Sequence, residues 1–146
     1  MCKPTTSARL YEAALVHLGT SEVKGSGSNA KIRGWIKQAA TWLDGDDSKT
    51  AWCGCFRGYL GIQTATGCPP EHYRAASWAK WGKPVDVTQP KTWQQGDTII
   101  MTRPGGNHVC LLDRVVGKTA YCLGGNQSDA VTIAAFNISR ITHVRR

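Results

Sequence analysis

Apolar positions recur at helical spacing in the first half of the chain and at strand spacing in the second. Leu10, Ala14 and Leu18, with Tyr11 and Leu15 beside them, predict a helix over roughly Ser7–Leu18, capped by Thr5 or Thr6 and ended by Gly19. Ser21, Gly25, Ser26, Gly27 and Ser28 mark residues 20–28 as a loop. Asn29 then caps a second helix over about Ala30–Trp42, with Ile32, Trp35, Ile36, Ala39 and Leu43 as its inward stripe. A third helix runs from near Thr50 to about Leu60. Its Gly54 and Gly58 lie four apart and cost helix propensity, which predicts a face pressed closely against another element. Gly67-Cys68-Pro69-Pro70 is a turn, and a further helix is expected from Pro70 or Glu71 to Trp81, stopped by Gly82.

After an extended linker over 83–92 the period changes. Gln95-Gly96-Asp97 is a turn, with Asp97 stabilising it, and Thr98–Met101 is a strand by β-branched content. Arg103–Asn107 breaks it. His108–Val116 is a second strand, Gly117-Lys118 a hairpin turn, and Thr119–Leu123 a third. Val131–Ala134 and Ile141–Val144 supply two more. Helices first and an antiparallel sheet after predict an α+β domain, with residues 1–146 as one unit.

Composition narrows the class. Apolar residues make up 41% of the 146 positions and charged residues 19%, which describes a globular chain, not a disordered one. A net charge of +8 predicts attraction to polyanions, but the basic residues are dispersed and do not indicate a nucleic-acid patch. No stretch approaches the roughly 18 apolar residues that span a membrane, and no apolar run follows a basic start as in a signal peptide. Six cysteines fall short of a disulfide scaffold, so free thiols in a cytoplasmic product are expected, including Cys110 and Cys122 on neighbouring strands. Cys2 lies at the frayed terminus.

Cys53 is the strongest chemical candidate. At a helix start, unpaired N–H groups and the helix dipole favour a thiolate, the form that attacks a carbonyl. Cys55, two positions on, points about 200° away around the helix. His108 opens an apolar strand after a Gly-Gly-Asn loop, the setting among the four histidines that suits a general base. His17 reads as a partly exposed histidine near a helix end. The hairpin at Gly117-Lys118 brings residues 126–127 nearly opposite His108, where the Asn126 amide would accept the imidazole N–H and fix its tautomer. The competing chemistry is zinc. Cys53, Cys55, Cys68 and His72 form a ligand set on paper, but one residue separates the first pair instead of the usual two to four. The acidic loop Asp44-Gly45-Asp46-Asp47-Ser48 lacks the spacing of a helix-loop-helix calcium site. No metal or other cofactor is expected.

Four segments resemble, in order, the CHAP and NlpC-type cysteine peptidases. Ala51-Trp52-Cys53 with Phe56 resembles their nucleophile motif. Trp93-Gln94-Gln95-Gly96-Asp97 resembles the turn before their first core strand, and Gly106-Asn107-His108-Val109 their histidine motif. Leu123-Gly124-Gly125-Asn126-Gln127-Ser128 resembles the third-residue segment of a phage and bacterial subgroup, as does the stretch Ala75–Gly82. Two positions depart from the pattern: Asn107 stands where glycine usually precedes the histidine, and Cys55 where a small or apolar residue is usual.

The resemblance implies a papain-like fold with Cys53 as nucleophile, His108 as base and then acid, and Asn126 orienting the histidine. It also implies a polar residue near the oxyanion, for which Asp47, or less well Asp46, is the nearest match. The implied activity is cleavage of an amide bond in peptidoglycan stem peptides by a monomer, with the basic charge drawing it to an anionic outer-membrane surface. A single catalytic domain without a wall-binding module or signal peptide resembles a phage endolysin made in the host cytoplasm and released onto periplasmic peptidoglycan of a Gram-negative host. An endopeptidase is expected. An N-acetylmuramoyl-L-alanine amidase, an interbacterial amidase toxin and a non-enzymatic basic binding domain stay open as alternatives.

Overall fold

The computed structural model describes residues 3–23 and 28–146. Cys2 and the expected loop residues Gly25, Ser26 and Gly27 lie outside them. The architecture is α+β: three helices, α1 (Thr6–Leu15), α2 (Ala30–Ala39) and α3 (Cys53–Gln63), precede a six-stranded antiparallel sheet. The strands are β1 (Pro84–Val85), β2 (Thr98–Arg103), β3 (Gly106–Val116), β4 (Thr119–Gln127), β5 (Ala130–Asn137) and β6 (Ile141–Arg145), in the order β1-β6-β2-β3-β4-β5. Among the described residues no helix is long and apolar enough to cross a membrane.

The caps form as their residue types dictate. Thr5 Oγ1 accepts the Ala8 N–H at α1, and Asn29 Oδ1 accepts from Lys31 and Ile32 at α2. Helix α1 stops at Leu15, short of the expected Leu18, because the chain turns inward there. His17 packs its ring edge-on against Trp35, Phe56 and Tyr59, with centroids 5.3, 5.9 and 5.3 Å away. Leu15 and Leu18 are left exposed. Helix α2 ends at Ala39, and Trp42, placed in the helix by the sequence pattern, is 70% exposed.

The helices bury one face of the sheet. Leu10 and Ala14 of α1, Ile32 and Trp35 of α2, and Phe56 and Leu60 of α3 meet Leu111, Leu123 and Val131 in one core. The opposite face carries Ile99, Met101, Cys110, Leu112 and Cys122, covered by Trp93, Val85 and Val87 from the segment before β2. Burial on both faces explains why Thr98–Met101 and His108–Leu112 read as continuous runs and not as alternating ones. The linker expected over 83–92 supplies the short edge strand β1. The expected break at Arg103–Asn107 contracts to a Pro104-Gly105 hairpin, with Arg103 paired to Gly106.

The expected helix over Pro70–Trp81 does not form. A turn through Pro70–Tyr73 leads into a 3-10 helix, Ala75–Lys80. Glu71 has φ +55, which no right-handed helix admits. The turn is instead shaped by α3: a Cβ at Gly54 would sit 2.6 Å from Tyr73 O, and one at Gly58 would sit 2.0 Å from the His72 ring. This is the close approach that the glycine spacing predicts.

Candidate functional site

Helix α3 begins at Cys53 itself, three residues later than expected near Thr50, and Trp52 caps it without a side-chain hydrogen bond. The first N–H groups of a helix have no carbonyl within it, so the thiol occupies the turn where backbone donors face outward. The Trp52 ring is fully buried, and its Nε1–H donates to Glu22 Oε1 at 2.7 Å. That bond and the packing of Phe56 fix the start of α3 over the sheet. Cys53 is buried with Ile100 and Val109, at the β2–β3 end of the helix-covered face.

His108 is the third residue of β3, opposite Met101 on β2, and only 3% exposed. Its Nε2 is 2.9 Å from Gln127 Oε1. The Gln127 amide is itself held: its Nε2 donates to Cys122 O at 3.1 Å and Thr132 O at 2.8 Å. Two carbonyls fix the NH2 end, so the oxygen must face the ring, and His108 Nε2 must carry the proton. Nδ1 is then the free nitrogen. It is buried, makes no hydrogen bond of regular geometry, and is left to the Cys53 thiol beside it.

The electrostatics separate the thiols. Burial pushes the Cys53 thiol up, but the adjacent His108 imidazole, the Val109 N–H and the Arg103 charge outweigh it, and its pKa lies below the ordinary thiol value. Burial and the neighbouring Cys53 push Cys55 up to about 12. Burial and its contact with Cys122 hold Cys110 far above the thiol range; both are free thiols. Against Cys55 and Cys110, which burial pushes up, Cys53 alone is lowered.

The expected partners are placed unevenly. Cys53 and His108 come together. Asn126 does not orient the histidine; its neighbour Gln127 does. The cause is a bulge. Between Gly124↔Thr132 and Gln127↔Ala130 three residues of β4 advance against two of β5, and Asn126 takes φ +58. The extra residue inverts the alternation, so Gln127 takes the face of Cys122 and Cys110 on which His108 lies. The two glycines before it make this fit. A Cβ at Gly124 would lie 2.7 Å from Gln127 Oε1, and one at Gly125 would lie 2.5 Å from the Trp52 ring. The Gly-Gly pair is the sequence signal that could have announced the bulge.

Asp47 is engaged at the start of α2. It is buried, and its Oδ2 accepts the Asn29 N–H at 2.8 Å, tying the acidic loop to the start of α2. Its hydrogen bonds do not reach Cys53 or His108. Asp46 is turned to Ser48 within the same loop. Cys53, Cys55, Cys68 and His72 are not gathered: Cys55 is in the helical core, Cys68 Sγ faces Gly58 O at 3.3 Å, and His72 lies against Gly58. Among the described residues no three His, Cys, Asp or Glu side chains are placed to hold a metal ion. Asp97 is buried and accepts from Gln94 N, Ser7 Oγ and Arg146, as befits a turn residue.

The arrangement is a thiol with lowered pKa, an imidazole with a free Nδ1, and an amide that fixes the imidazole. Chemically it can form a thiolate–imidazolium pair and pass a proton at Nδ1. No protein-family model matches the chain, and no curated protein matches it.

Proposed function

We propose that this chain is a papain-like cysteine hydrolase that cleaves an amide bond of peptidoglycan stem peptides, in the manner of a phage endolysin. The observation that carries this reading is the Cys53–His108–Gln127 relay at the N-terminus of α3. In the proposed reaction His108 Nδ1 takes the thiol proton, and the thiolate adds to the substrate carbonyl. The Cys53 N–H, at the first position of α3 and so without an intrahelical partner, would donate to the oxyanion. The imidazolium returns its proton to the leaving amine, and the acyl group stays on sulfur. Water, deprotonated by His108, then releases the acid and restores the thiol. Gln127 keeps the imidazole in one tautomer and one orientation throughout. The peptidoglycan target and the endopeptidase preference rest on the resemblance of the four motifs, and the +8 charge suits an anionic envelope.

The test is digestion of purified Gram-negative peptidoglycan by wild type and Cys53→Ala, with mass spectrometry of the soluble products. Fragments cut within stems or cross-links, released by wild type alone, are expected. Intact stems freed from glycan would assign an amidase instead. No release, or equal release by Cys53→Ala, would remove the thiol mechanism.

A further inference from the structure

Beside the His108 imidazole is a cavity of about 240 Å³ that the proposed reaction does not itself employ. Its lining includes His108, Gln127, Asn126, Ser128, Arg103 and Arg140, and no carboxylate side chain. The two arginines come from different elements, the end of β2 and the 3-10 helix Ile138–Arg140. Neither is spent on an acidic partner: the ion pairs among the described residues are Lys49–Asp46, Arg74–Glu71, Arg114–Asp113 and Arg146–Asp97. Both are half-buried, so solvent screens them less than surface charges. Arg140 is also pre-set. Its Nε and Nη2 donate to Thr102 O at 3.0 and 2.9 Å, and its guanidinium lies 5.4 Å from the Phe136 ring centre. Among the described residues that leaves Nη1 without an acceptor. Asn126 and Ser128 on the rim hold φ +58 and +52, as the β4 bulge and the two-residue β4–β5 turn require, and these two features fix the rim in place.

We propose that this cavity is a subsite for a free carboxylate of the substrate, so that the enzyme prefers stem peptides whose carboxylate next to the scissile bond is not amidated. The inference rests on the hydrolase reading and adds the chemistry of one substrate position. The volume is below the roughly 300–1,000 Å³ of a site that encloses a whole small ligand, and suits one acidic residue. Guanidinium groups recognise a carboxylate through charge-assisted, often paired hydrogen bonds, which a carboxamide cannot reproduce because it carries no charge and presents its own donors. Continuity with the reacting centre is direct: His108 and Gln127 belong to both, and Arg103 acts on the Cys53 thiol through its charge. A substrate bound through this carboxylate would lie with its neighbouring amide beside the thiol.

The experiment uses two synthetic stem peptides identical except that one carries the free carboxylate and the other the carboxamide. Wild type and Arg103→Gln are compared by kcat/KM on each. Wild type is expected to favour the acid by roughly tenfold or more, and Arg103→Gln to bring the ratio close to one. Loss of the Arg103 charge near Cys53 slows both substrates together, so the ratio reports the subsite alone. Equal wild-type rates on the two peptides, or an unchanged ratio in Arg103→Gln, would overturn the proposal. In parallel, calorimetric binding of both peptides is measured to Cys53→Ala. If wild type cleaves neither peptide nor peptidoglycan, the hydrolase reading falls, and binding decides the subsite. Tighter binding of the acid by roughly tenfold upholds it, and equal binding overturns it.

Discussion

Gln127 is held at both ends, with its oxygen on His108 Nε2 and its nitrogen on Cys122 O and Thr132 O. A hydrogen bond to a ring that becomes charged contributes about 1.5–3 kcal/mol, so Gln127→Ala is expected to lower kcat by roughly 10- to 100-fold. Asn126→Ala, which breaks no bond to His108, leaves the ring oriented. The sign in pH follows from the thiol. His108 holds Cys53 below the ordinary thiol value, so alkylation of Cys53 extends to lower pH than for a free thiol. In Gln127→Ala the ring loses its orientation, the thiol pKa rises, and the acid limb of the alkylation profile moves to higher pH while the alkaline rate is kept. A purely structural role for Gln127 would not move that profile. The approach of His108 to Cys53 was legible because Cys53 opens α3 and His108 lies just inside β3 after a Gly-Gly turn, positions that sequence marks. Gln127 was not, because strict alternation across the hairpin points to Asn126. One extra residue in the bulge reverses it. The Asp47 contact with the α2 cap was not legible, because it joins residues 18 apart in sequence.

Helix α3 is the element on which the site depends, and its glycine edge sets its distance from the 67–73 segment. Gly58→Ala would drive a methyl into the His72 ring, an overpacking cost of about 1–3 kcal/mol. Gly34, in the middle of α2, has nothing within 4 Å of an added Cβ, so Gly34→Ala should stabilise by about 0.5–1 kcal/mol. At roughly 2–4 °C per kcal/mol for a chain of this size, thermal unfolding of the two variants should bracket wild type on opposite sides. Equal shifts in the same direction would show that the glycines act through helix propensity alone. The close glycine face of α3 was readable from Gly54 and Gly58. The helix expected over 71–81 was not to be had from local pattern, since its tryptophans serve a distant residue. Arg57 of α3 is fully buried, with its guanidinium 4.2 Å from the Trp78 ring and 4.6 Å from the Trp81 ring. Trp78 Nε1–H is meanwhile committed to His72 O at 2.9 Å. Tertiary demands of this kind outweigh propensity in so short a segment.

The whole molecule is closed by Asp97, which is fully buried. It joins Ser7 of α1, Gln94 before β2 and Arg146 after β6 through hydrogen bonds of 2.7–2.9 Å. Arg146→Ala removes two of these and leaves a buried carboxylate under-satisfied, at a cost of about 1–3 kcal/mol. A lower urea midpoint with an unchanged slope is the expected result. An unchanged midpoint would mean that solvent replaces the arginine at no cost. The α+β class was legible from the change of period near residue 93, since each half carries its own repeat. The strand order was not, because β6 inserts between β1 and β2 and no local pattern encodes that partner. That insertion has a consequence for biosynthesis. Strands β2 to β5 form a meander of successive hairpins that can pair as they emerge from the ribosome, but the strand that covers the other edge of β2 is made after all of them. Until residues 141–145 arrive, Ile99, Ile100 and Met101 present an open apolar edge, the kind through which nascent chains pair with one another. The interval between synthesis of β5 and docking of β6 is therefore when this protein is most exposed to aggregation.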